Sequence, residues 1–263
     1  MQQVQVSSPA SIREKIRKGH WTKPTTGVCS GYTQANLVVL PRTEAFDFLL
    51  FCQRNPKPCP VLDVTDPGSS TPPIVAPNAD LRTDLPRYRV YRNGVLTEET
   101  YDITDLWDQD MVGFLVGCSF TFENALMKNG IEIRNIEENG NVPMYQTCLS
   151  CEPAGVFSGP MVVSMRPIPE KDIARAVQVT SRFPSVHGAP IHIGNPETIG
   201  ISDLDQPDFG DRVTVKEGEV PVFWACGVTP QAVAMHARPE IMITHAPGHM
   251  FITDWKDEKL GVM

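Results

Sequence analysis

The sequence predicts an α/β protein, a three-layer sandwich with a mostly parallel mixed sheet plus a smaller α+β domain. Three observations predict it. Val112–Cys118 is an apolar run that hands over to a helical pattern ending near Gly130. The same order returns further on, with a strand at Val220–Ala225, a helix at Gln231–Arg238 and a strand at Glu240–His245. Such a crossover argues for parallel strands with helices on the sheet faces. Between the two, short strand-like runs separated by turns mark a different, strand-rich piece. The expected organisation is a core made of residues 1–128 and 220–263, with an α+β domain inserted at residues 129–219.

Each element has a local reason. Ser8–Gly19 reads as a helix, with Ser ahead of the pattern, basic residues in the last turn and Gly at the end. Leu37–Leu40 is a short strand. Thr43 is placed to cap a helix over Glu44–Arg54, in which Ala45, Phe46, Leu49 and Leu50 share one face. Val61–Val64 reads as a buried strand. Asn93-Gly94 between YRVYR and VLTEETY is a strong type I′ hairpin signal. Ile131–Ile136, Pro143–Cys148 and Met161–Met165 are strand-like, Pro169–Phe183 is an amphipathic helix, and Met250–Thr253 pairs back as a hairpin strand.

At 263 residues the chain can bury a substantial core, and 41% hydrophobic with 21% charged residues is ordinary for a soluble globular protein. A net charge of −8 argues against a nucleic-acid partner, which needs a basic face. No apolar run reaches membrane-spanning length and MQQVQVSSPAS lacks a signal-peptide core, so the expected location is cytoplasmic with no membrane partner. The 24 prolines cluster with Gly, Asn or Asp in turns such as TDPGSSTPP, QPDFGD and HAPGH. Seven cysteines without a secretion signal read as thiols rather than a disulfide framework. Cys148 and Cys151 form a lone C-x-x-C with no second pair to complete a zinc knuckle.

The stretch GFLVGCSFTFENAL, Gly113–Leu126, carries the densest chemistry. Cys118 and Ser119 stand where a strand becomes a helix, and unpaired N–H groups and the positive dipole end of a first helical turn attract anions. Glu123 adds a carboxylate there. The alternative is purely structural, with Ser119 or Thr121 as N-cap and Glu123 completing a capping arrangement. FWACG repeats the grammar at Cys226 and Gly227, where a thiol pKa tends to fall. Two such thiols across a pocket would suit proton abstraction and return at carbon, as in the aspartate/glutamate racemase superfamily. Four of the six histidines, His187, His192, His245 and His249, lie in two turn-rich stretches. The H-x-x-x-H spacing of the last two is broken by Pro247-Gly248, so a metal helix is not expected there. Arg82, Arg166, Arg182 and Lys23 are candidates for holding a substrate carboxylate.

Taken together, GYTQANLVVLP, DLRTDLPRYRVYRNG, GFLVGCSFTFENAL, VVSMRP, HGAPIHIGNP, EVPVFWACGVTPQ and ITHAPGHMFITD resemble the D-glutamate cyclase family, from about Gly31 almost to the C-terminus. Bacterial members are labelled hydro-lyases. The resemblance implies loss of water from a small acidic metabolite, with conversion of D-glutamate to 5-oxo-D-proline as the activity of a vertebrate member. It carries no residue roles with it. Those come from the chemistry, which needs an acid, a base, oxyanion donors and a carboxylate clamp. Glu123, His245, Cys118 and Cys226 are the catalytic candidates; Ser119, Gly227, Arg182 and His187 are the substrate-binding ones. The reading includes no cofactor or metal and leaves a homo-oligomer open. Two rival readings remain at this stage: a non-catalytic protein that binds 5-oxoproline or glutamate, and a metal-dependent hydrolase using the histidine loops.

Overall fold

The computed structural model of the chain describes residues 8–262, apart from the side chains of Gln231, Ala234 and Met235. The start of the chain, read above as lacking a signal-peptide core, lies outside them through residue 7. In chain order come α1 (Pro9–Arg17), β1 (Tyr32–Pro41), α2 (Arg42–Arg54), β2 (Val61–Val64), β3 (Tyr88–Arg92), β4 (Val95–Thr100) and β5 (Met111–Gly117). Then follow α3 (Phe120–Lys128), α4 (Arg134–Glu137), β6 (Met144–Ser150), β7 (Pro160–Pro169), α5 (Ile173–Ser181), β8 (His192–Ile193), β9 (Glu219–Ala225), α6 (Thr229–Ala237), β10 (Ile241–His245) and β11 (Phe251–Lys256).

The strands form two sheets. The larger has the order β2-β5-β1-β10-β3-β4, with β11 also paired to β1; the smaller has the order β6-β7-β9-β8. Every strand pair in both is antiparallel. This corrects the expected three-layer sandwich with a mostly parallel sheet. The expectation rested on β9, α6 and β10 forming a crossover within one sheet, but β9 belongs to the smaller sheet and β10 to the larger. Helix α6 is thus a passage between sheets. The apolar runs misled for a related reason. Residues 33–40 of β1 and all of β5 are buried, a pattern typical of parallel strands covered on both faces. Here antiparallel strands are covered on both faces instead.

On one face, α2 places Phe48 and Phe51 against Phe114 and Phe157, with the Phe48 and Phe114 ring centroids 4.9 Å apart. Truncating one such ring to Ala would cost about 3–5 kcal/mol. The other face is covered by the long segment between β2 and β3, which contributes Val75, Leu81 and Leu85. Helices α3 and α5 pack on the smaller sheet through Phe122, Leu126, Ala176 and Trp224.

Several local expectations hold. Ser8 caps α1 by accepting from the Ser11 N–H at 3.3 Å. Asn93 and Gly94 both have positive φ, 50° and 79°, as a type I′ turn requires. Others fail. The Ile131–Ile136 strand is instead an extended entry to α4. Ile131 and Ile133 are buried among α3 and Trp224, while Arg134 pairs with Glu219 at 2.6 Å. Thr43 lies inside α2, which has no side-chain cap bond, and the helix buries Phe48 and Phe51 while Phe46 and Leu49 are exposed. Strand β11 pairs with β1 and does not fold back on β10 as a hairpin. Among the described residues no helix is long and apolar enough to cross a membrane.

Candidate active site

The chain leaves the larger sheet at the end of β5 and leaves the smaller one at the end of β9, and these two exits meet. Cys118 and Ser119 from the first junction, Cys226 and Gly227 from the second, and Asn36 and His245 line one cavity of about 20 Å³. Phe120, Val142, Met144 and Met250 supply apolar walls. The volume accommodates one water and no larger solute. Close approach is built into the backbone: a Cβ on Gly227 would lie 1.9 Å from Asn36 Nδ2 and 2.9 Å from the Gly117 carbonyl oxygen. Asn36 in turn donates to that same carbonyl at 2.7 Å, tying β1 to the first junction.

Behind Ser119 lies a buried charge pair. Arg166 on β7 is 1% exposed, lies over the Phe122 and Trp224 rings, and donates to the Glu123 carboxylate through Nε and Nη2. It also donates to Ser164 Oγ and Ser119 Oγ, each at 3.0 Å. Arginine accepts no hydrogen bond, so the Ser119 hydroxyl must send its own proton elsewhere. The capping alternative is corrected here. Ser119 occupies the N-cap of α3 but makes no side-chain cap bond, Thr121 Oγ1 is buried without a hydrogen-bond partner among the described residues, and Glu123 turns to Arg166.

The electrostatics of the cavity favour neutral groups. Burial pushes the Cys118 thiol far up and the Cys226 thiol up to about 11, although the Phe120 and Val228 N–H groups each act to lower them. The expected fall in thiol pKa at these junctions is therefore corrected: desolvation outweighs the helix-start donors. Burial likewise brings His245 down to about 4, so it is a neutral imidazole at pH 7. His245 Nδ1 faces the Leu37 backbone, 3.2 Å from its amide nitrogen and 3.4 Å from its carbonyl oxygen.

Comparison with known proteins meets the same stretch of chain. Residues 112–254 match the family model described as D-glutamate cyclase. This span contains every cavity residue except Asn36. The chain belongs to the D-glutamate cyclase family, a family of lyases. It is 73% identical to a protein of Geobacillus kaustophilus over 97% of both chains, and 68% identical to one of Bacillus licheniformis over 97% of both. A Bacillus subtilis relative is 64% identical over 97% of this chain and all of its own. Each of the three bears the name "Putative hydro-lyase".

In this member of the D-glutamate cyclase family, Cys118, Ser119, Cys226, Gly227 and His245 come together and the other sequence candidates do not. Glu123 reaches the cavity only through Arg166 and Ser119. His187 is buried behind the first junction, with Nδ1 2.8 Å from the Lys57 carbonyl and a pKa brought down to about 4 by burial. Its loop seals Gly117, where an added Cβ would lie 2.3 Å from the Ser185 oxygen. Arg182 is exposed at the end of α5 and lines a separate groove with Arg175 and Glu258. Arg82 pairs with Asp80 at 2.7 Å, and Lys23 is exposed. His192 bonds to Asn195 and Thr198, and His249 lies 2.9 Å from the Pro247 carbonyl. Cys148 is exposed and Cys151 buried, and among the described residues no three His, Cys, Asp or Glu side chains group to hold a metal ion.

Asn36 was missed by sequence reasoning. Its signal was present: a polar residue inside the otherwise apolar run of β1, 2% exposed, needs a partner in the fold. Arg166 stood among the clamp candidates, and the structure gives it an internal partner instead.

Proposed function

We propose that the chain removes water from D-glutamate to give 5-oxo-D-proline, and that the cavity between the two junctions is where it does so. The amine nitrogen attacks the side-chain carboxyl carbon, a C–N bond forms, and one carboxylate oxygen departs. The ammonium gives up two protons and the departing oxygen takes up two to become water. Protons are therefore relayed within the site, with no net gain or loss.

The observation that carries this reading is the set of neutral groups around one cavity. Cys118 and Cys226 are held as thiols and His245 as imidazole at pH 7. Each can pass a proton on without leaving a lasting charge in an apolar enclosure, where an isolated charge is costly. The Ser119 hydroxyl, held by Arg166, and His245 in the tautomer protonated at Nε2 are the donors for the oxyanion that forms on attack. Glu123 acts through Arg166 as a positioning residue in this scheme. A cavity of about 20 Å³ requires the walls to part for the substrate to enter.

Proton NMR of purified protein incubated separately with D-glutamate, L-glutamate, 5-oxo-D-proline and 5-oxo-L-proline tests the proposal. Conversion of D-glutamate to 5-oxo-D-proline, lost in Cys118→Ser or Cys226→Ser, is the expected result. Saturable binding of one compound with no turnover would turn the assignment to a binding protein. No response to any of the four would remove D-glutamate as the substrate.

A further inference from the structure

An open groove of about 280 Å³ lies beside this small cavity, and Asn141 lines both. Gly248, on the cavity side, leaves room for that side chain: a Cβ there would lie 2.7 Å from Asn141 Oδ1 and 3.5 Å from Pro24 Cβ in the groove wall. The groove is also lined by Thr26, Asn135 and Asp211. Asn135 is 1% exposed, and among the described residues neither its Nδ2 nor Thr26 Oγ1, both buried, has a hydrogen-bond partner. A buried donor left unpaired is destabilising, so two of them on one groove call for a bound partner. Asp211 stands at the exposed rim, with one oxygen taken by the Asn141 N–H at 2.8 Å.

We infer that this groove is the outer half of the substrate site and binds the α-carboxylate of a free α-amino acid. The Asn135 amide and the Thr26 hydroxyl hold the α-carboxylate, and Asn141 stands between it and the amine and side-chain carboxyl, which meet at Cys118 and Cys226. Neutral amide and hydroxyl donors thus take the clamp role that sequence reasoning gave to Arg182. The negative charge of Asp211 at the rim favours a zwitterion carrying an ammonium over a dianion that lacks one. The identity of the amino acid as D-glutamate rests on the cyclase reading; the recognition of an α-amino acid does not.

Isothermal titration calorimetry of the whole protein with D-glutamate, 5-oxo-D-proline and glutarate decides it, alongside Asn135→Leu, Thr26→Val and an Arg182→Ala control. Wild type is expected to bind D-glutamate more tightly than glutarate. Asn135→Leu is expected to weaken that binding at least tenfold and Thr26→Val several-fold, with Arg182→Ala unchanged. Because Asn135 Nδ2 has no partner to lose, Asn135→Leu should unfold at or above the wild-type temperature, which separates lost recognition from lost folding. Asn135-dependent binding without turnover would support the groove while overturning the cyclase reading. Wild-type affinity in both Asn135→Leu and Thr26→Val, or no binding of any probe to wild type, would overturn the groove, and in the first case turnover by wild type would leave the cyclase reading standing.

Discussion

Gly227 and Asn36 are in contact so close that a single added methyl group on Gly227 would lie 1.9 Å from the Asn36 amide nitrogen. That contact joins the exit from one sheet to the central strand of the other. Gly227→Ala must displace Asn36, which is already bonded to the Gly117 carbonyl. Overpacking of this kind costs about 1–3 kcal/mol. Urea denaturation should show that loss, and turnover should fall much further because both junctions shift. A variant with wild-type stability and turnover would mean that the junctions move apart freely.

Glu123→Gln is expected to destabilise the fold as well as lower turnover. The carboxylate is 3% exposed and paired with buried Arg166. Removing one partner of a buried ion pair costs about 3–5 kcal/mol, whereas replacing both by apolar groups is often neutral. The double variant Glu123→Leu/Arg166→Met should therefore recover much of the stability while leaving Ser119 without its donor. Thermal unfolding compared with turnover across the three proteins separates the two effects.

Thiol reactivity reports the environment of the two cavity cysteines. Of the seven cysteines only Cys148 is exposed. A thiol reagent at pH 8 should label one cysteine quickly in the folded protein and all seven after denaturation. Rapid labelling of Cys118 or Cys226, read by mass spectrometry, would contradict the upward shift that burial imposes on both.

Stability should fall on mild acidification. His187 and His245 stay neutral in the fold down to about pH 4, whereas in the unfolded chain they take up protons near 6.5. As pH falls through that window the unfolded state binds more protons and gains. Asp257 works the other way, because burial raises its carboxyl from 3.8 to about 6 and the fold then binds the extra proton. Between pH 4 and 6 the balance of the three is about one proton, or about 1.4 kcal/mol per pH unit. Urea midpoints measured at pH 4.5 and 5.5 should differ in that direction. A flat profile would mean that the histidines are accessible to solvent.

The junctions at Cys118 and Cys226 were legible in the sequence because their grammar is local: an apolar strand, a small residue, a helix start. The Asn93-Gly94 turn was legible for the same reason, since two adjacent residues with positive φ suffice to set it. His245 stood out by residue type at the end of an apolar run, although its neutral state follows only from burial.

What the sequence by itself determined, then, was the place of the two strand-to-helix junctions and which reactive side chains stand there. Tertiary structure alone decided strand direction, because pairing depends on a partner far along the chain: β1 meets β5 on one side and β10 and β11 on the other. It also decided that Arg166 faces Glu123, a residue 43 positions away, and not a substrate. Clamp and internal partner draw on the same guanidinium chemistry, and only the three-dimensional neighbours of Arg166 separate the two.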